Sequence, residues 1–167
     1  MIKKFLIIIM VAGLCFAGVA ANNTNSSPTT IFGSEVSLQV DTGYQLANDY
    51  DMNFNLGLAL FPTKYFGIEV ETPIYNTGGT FFNEISFGGI VRVPVDVVVI
   101  RHFAPYVRGG ETFNFDNSKW SSYVGVGVET KIRNGWSLFV DGNYTFDDVT
   151  KIGDGNWLAR LGLRLQL

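Results

Sequence analysis

The chain has a single cysteine, Cys15, and a single histidine, His102, in 167 residues. A disulfide framework needs paired cysteines, and most metal centres and Cys–His nucleophilic sites need several such side chains, so these classes are largely excluded at the outset. Charge is also scarce. Asp, Glu, Lys and Arg make up 16% of the residues, where an average soluble domain carries about 25%. The net charge is −3, and no basic stripe of the kind that binds nucleic acid is present. Beyond the first 21 residues there is no apolar run near the roughly 20 residues that a membrane-spanning helix needs.

What is present begins with an address. Lys3 and Lys4 precede the apolar run Phe5 to Ala20, which closes on Val19-Ala20-Ala21, small enough for a secretory peptidase to cut after Ala21. Residues 1–21 read as a cleaved signal peptide. Cys15 leaves with it, since Leu14 occupies the position where a lipid anchor requires a small residue. Without Lys3 and Lys4, ten basic side chains face 15 acidic ones, and no cysteine remains. An exported chain without disulfides depends on its own core or on a membrane. Residues 22–32 are largely polar and aperiodic, a flexible lead, and residues 33–167 form one domain.

That domain alternates with period two. Val36, Leu38 and Val40 alternate with Glu35, Ser37, Gln39 and Asp41; Met52, Phe54, Leu56, Leu58 and Leu60 alternate with Asp51, Asn53, Asn55, Gly57 and Ala59. The same beat runs through 66–71, 84–93, 124–131, 136–143 and 160–167, with a further strand over 103–113. These are eight strands and no convincing helix. Short turns at Pro62-Thr63-Lys64 and Arg133-Asn134-Gly135 contrast with mostly longer polar links near Ala47, Asn76 to Thr80, Asn114 to Lys119 and Asp147 to Asn156. Asn-Gly favours a tight hairpin, and the alternation of link lengths describes an up-and-down antiparallel barrel. The apolar stretch Pro94 to His102 has no assigned place in it.

Composition decides which face points inward. The polar face carries Gly57, Gly67, Gly88, Gly125, Gly127 and Gly162 inside strands, where exposed glycine would weaken a sheet for no gain. In a narrow lumen, glycine makes room for long partners from other strands. Those partners are Glu69, Glu71, Glu84, Arg92, Glu129, Lys131, Asp141, Arg160 and Arg164, a lumen charge network. The assigned apolar set contains no charge, as lipid would demand. Tyr65, Phe66, Tyr75, Trp120, Tyr123, Trp136, Tyr144 and Trp157 collect near strand ends, where interfacial girdles lie. The expected fold is all-β: an eight-stranded antiparallel up-and-down transmembrane β-barrel.

Three segments resemble the small outer-membrane β-barrel proteins of the OmpA and OmpX type. They are Pro105-Tyr106-Val107-Arg108-Gly109-Gly110, the hairpin from Val126 through Asn134-Gly135-Trp136 to Asp141, and the final strand Arg160 to Leu167. The last is similar to the C-terminal signal read by the outer-membrane assembly machinery, carried here by Gly162, Leu165 and Leu167, with leucines where aromatics are usual. The resemblance implies an outer-membrane location and contact with lipid, lipopolysaccharide and that machinery. It does not imply chemistry. Related lipid A deacylases use a His-x-Ser pair, whereas His102-Phe103-Ala104 offers no serine two residues on. The carboxylates Glu69 and Glu71 read as partners of lumen arginines, and Asp116, Asp147, Asp148 and Asp154 as a solvated rim. No catalytic residue, metal site, cofactor or nucleic-acid partner is expected. A soluble periplasmic barrel holding an apolar ligand is the alternative, and a lipid A-modifying barrel enzyme a weaker one.

Overall fold

The computed structural model describes residues 35–46, 52–76, 81–95, 103–133, 135–147 and 155–167. The signal segment, the polar lead, most of Pro94 to His102 and the sole histidine lie outside them. Eight strands follow in chain order: β1 (Glu35–Gln45), β2 (Met52–Phe61), β3 (Phe66–Asn76), β4 (Glu84–Arg92), β5 (Phe103–Asn114), β6 (Lys119–Arg133), β7 (Trp136–Phe146) and β8 (Asn156–Gln166). Each pairs antiparallel with its neighbour, and β1 pairs with β8 to close the barrel. Closure leaves no free edge, so every strand has a hydrogen-bonding partner on both sides.

Residues that alternate in the sequence alternate across this wall. Val40, Val91, Val107, Val126, Val140 and Leu161 are exposed on the outside. Inside, Gln39, Asp41, Glu69, Arg92, Glu129, Asp141, Arg160 and Arg164 are buried. This polarity is the reverse of a soluble carrier barrel, so a soluble protein with an apolar interior is not the architecture present. Glu111, exposed on the outward side of β5, departs from the charge-free outer face; Ser122 Oγ donates to it at 2.9 Å.

Local chemistry sets the turns. Gly135 has φ +79°, the left-handed geometry that the Asn-Gly pair favours between β6 and β7. Between β2 and β3, Thr63 Oγ1 accepts from the backbone N–H of Tyr65 at 3.3 Å and of Phe66 at 3.1 Å. The β5–β6 link is shorter than expected, spanning Phe115 to Ser118. There Asn114 Oδ1 accepts from the N–H of Asp116 at 2.9 Å and of Asn117 at 3.2 Å, a side-chain-closed turn. Pro73 cannot donate to a ladder, and β3 bulges beside it: Asn55 faces Pro73 while Phe54 faces Tyr75.

The segment without an assigned place begins by extending β4. Val93 N–H donates to Pro105 carbonyl at 2.9 Å, and Val95 N–H to Phe103 carbonyl at 2.7 Å. A long link therefore sits at the same end as the two short turns, contrary to the simple alternation of link lengths.

Candidate functional site

A lumen eight strands wide fills with side chains, and here the filling is ionic. Among the described residues, the buried charged groups are six carboxylates (Glu35, Asp41, Glu69, Glu71, Glu129, Asp141) and four guanidiniums (Arg92, Arg108, Arg160, Arg164). Arg160 on β8 faces Asp141 in register on β7, and its Nε and Nη2 donate to the two Asp141 oxygens, each at 2.8 Å. Its Nη1 crosses the lumen to Glu71 on β3 at 2.8 Å. Arg108 on β5 reaches Glu71 at 2.9 Å and also pairs with Glu69. Gln39 on β1 donates to the same Glu71. One carboxylate thus ties together four strands.

Nearer the chain termini a second group forms. Arg164 Nη1 donates to Glu129 Oε2 at 2.5 Å and Nε to Gln39 Oε1 at 3.1 Å. Arg92 Nη1 donates to Glu35 at 2.8 Å and lies 3.5 Å from Glu129. These guanidiniums rest on rings: Arg92 stands 3.6 Å from the centroid of Phe61, and Arg164 4.9 Å from that of Phe139. Both rings belong to a small buried cluster with Ala59, Ile90 and Tyr106. Such stacking satisfies the flat face of a guanidinium while its edge forms ion pairs.

Buried charge is tolerated only when paired and hydrogen-bonded. With carboxylates in excess, neutral donors supply what the arginines do not. Tyr106 Oη donates to Asp141 at 2.6 Å, Tyr123 Oη to Glu69 at 3.2 Å, Asn55 Nδ2 to Asp41 at 2.7 Å and Ser137 Oγ to Glu129 at 2.5 Å.

The luminal glycines sit where these side chains need room. A Cβ on Gly67 would come within 2.5 Å of the Phe61 ring, and one on Gly57 within 2.9 Å of Gln39 and Glu71. Gly162 lies beneath Phe139 in the same way.

Of the charges proposed from sequence, Glu69, Glu71, Arg92, Glu129, Asp141, Arg160 and Arg164 converge in the lumen. Lys131 is half-buried at the mouth nearest the termini, with Glu35 and Ser137. Glu84 is half-buried toward the other end, where Asn114 donates to it at 2.7 Å. Tyr123 corrects the reading of an interfacial aromatic: it is buried inside the barrel because odd positions of β6 point inward, and its hydroxyl joins Glu69 and Arg108.

The remaining aromatics fall at two levels. Tyr65, Phe66 and Trp136 are exposed near the termini, and Trp120 and Trp157 near the opposite end, where Tyr144 packs 5.1 Å from Trp157 and Phe113 4.9 Å from Trp120. Tyr75 lies in β3 opposite Phe54. In β8, Leu165 pairs with Leu38 and Trp136, and Leu167 N–H donates to Val36 carbonyl at 2.8 Å.

Sequence reasoning passed over Glu35, Gln39, Asp41, Tyr106 and Arg108. The first three occupy the polar positions of β1 and were available from its alternation. Arg108 was not, because both faces of β5 mix polar and apolar residues: Phe103, Pro105, Val107, Gly109, Glu111 and Phe113 point one way, Ala104, Tyr106, Arg108, Gly110 and Thr112 the other.

No family model matches the sequence, and no curated protein does. Solved structures do. A de novo designed transmembrane β-barrel superposes with a TM-score of 0.62 at 18% identity, over 81% of this chain and 97% of that one. The N-terminal β-barrel domain of Pseudomonas aeruginosa OprF gives 0.60 at 14% identity, over 81% and 98%. At these identities the likeness is one of fold, and the chain has the architecture of the small outer-membrane barrels that its sequence resembles.

Proposed function

We propose that this protein is an exported outer-membrane barrel that supports the membrane and presents its loops to lipopolysaccharide and surface partners, without turnover and without serving as a general porin. The observation that carries this reading is the inverted polarity: an apolar outer wall around a lumen crossed by ion pairs between β3, β5, β7 and β8. Lipid is the environment that such an outer wall fits, since a closed sheet pairs each strand on both sides and leaves no open edge to the bilayer. A lumen bridged by Glu71, Arg108 and Arg160 leaves no wide water path for solutes. The strand β8, with Gly162 and Leu165, and Leu167 just after it form the segment through which the assembly machinery would receive the chain.

Cell fractionation with gel electrophoresis of boiled and unboiled samples tests the reading. Recovery with outer membranes and a heat-dependent mobility shift are expected; a protein that stays soluble without detergent and shows no shift overturns it. Planar-bilayer recordings test the lumen, where large, stable conductances would contradict a filled interior. Lipid contact has its own probe in Val126→Arg. Val126 is at the midpoint of β6 and 62% exposed, so an arginine there costs about 2–4 kcal/mol in a bilayer and close to nothing on a water-facing wall.

A further inference from the structure

Above the Glu71–Arg108–Arg160 junction, at the end opposite the chain termini, the lumen widens into a cavity of about 330 Å³. We propose that this vestibule binds one small neutral polyhydroxylated ring, a ligand of the monosaccharide class. The proposal concerns the barrel interior and goes beyond the membrane role.

Size sets the first limit. Ligand pockets start near 300 Å³, and this one holds roughly eleven water volumes at about 30 Å³ each, enough for one hydroxylated ring.

Charge sets the second. Among the described residues, the charged side chains on its wall are two acids and two arginines, and they are already engaged: Arg108 and Arg160 with Glu71, and Glu84 with Asn114. An anion would have to displace Glu71 from both arginines. A cation would meet those arginines directly. A neutral ligand disturbs none of these pairs.

The rest of the wall supplies what a polyol requires. Asn53, Asn143 and Asn156 bring amides, and Thr112, Ser121 and Thr145 bring hydroxyls, residue types that both donate and accept. Apolar surface is confined to a few places, among them Pro73 on β3 and Leu158 on β8, three strands apart around the barrel. A sugar ring has that composition: hydroxyls at its rim and C–H faces between them.

The test is a titration of the isotope-labelled barrel, folded in detergent micelles, with D-glucose and separately with inorganic phosphate, followed by backbone amide NMR. Saturable shifts with glucose at vestibule residues, with a dissociation constant on the order of millimolar, are expected. Ser121→Phe, which fills the cavity, should weaken binding by at least about tenfold. If that variant does not fold, as judged by its heat-dependent mobility, Thr145→Leu replaces it. Linear, unsaturable glucose shifts overturn the proposal. So do equal affinity in the filled variant and phosphate binding at these residues in place of glucose. Failure here leaves the membrane reading standing, since that rests on fractionation.

Discussion

The two ends of the lumen are built on opposite plans. Toward the chain termini, aromatic rings and guanidiniums interleave, Arg92 and Arg164 against Phe61 and Phe139, and the pocket at that mouth, beside Lys131 and Ser137, is about 20 Å³, room for roughly a single water. Toward the other end, short amide and hydroxyl side chains leave about 330 Å³. The strands are the same strands throughout; only the length and stacking capacity of the inward side chains change. A barrel of fixed strand number can therefore be plugged at one level and hollow at another, without altering its wall.

This contrast predicts unequal sensitivity to mutation. Arg164→Ala should have the largest effect, because it removes the nearest cation from buried Glu129, leaving Arg92 at 3.5 Å, and uncovers Phe139. Losing one partner of a buried pair costs about 3–5 kcal/mol, readable as a lower denaturation midpoint by tryptophan fluorescence in detergent. Gly67→Leu comes next, since its side chain would enter the space of the Phe61 ring; overpacking of this kind costs about 1–3 kcal/mol, measured the same way. Asn156→Ala, on the vestibule wall, should stay within about 0.5 kcal/mol of the parent. Comparable losses for Arg164→Ala and Asn156→Ala would erase the distinction between the halves. A double-mutant cycle between Arg164 and Glu129 would sharpen it by isolating the pair from the packing around it.

The outer wall also teaches by comparison with the interior. Every outward valine and leucine makes the same demand, an apolar neighbour of any kind, so position along the strand hardly matters. Inward side chains each require a particular partner. Gly57 is small because Gln39 and Glu71 lean across it, and Gly67 is small because Phe61 does.

The sequence by itself determined where the strands lie and the polarity of the two faces. Those follow from period two, which is a local property: a strand turns alternate side chains to opposite sides wherever it lies. It also marked most lumen charges, because a charge at a polar position of an alternating strand has one side on which to go. Only the tertiary structure decided which charges meet. Glu71 and Arg160 are 89 residues apart, and Arg164 and Gln39 are 125 apart; their encounter depends on strand stagger around a closed barrel, which no local pattern encodes. The same holds for Tyr123, whose place near a strand end suggested a membrane interface but whose parity sends it to Glu69 and Arg108. Local alternation assigns a side to each residue, and ring closure assigns its partner.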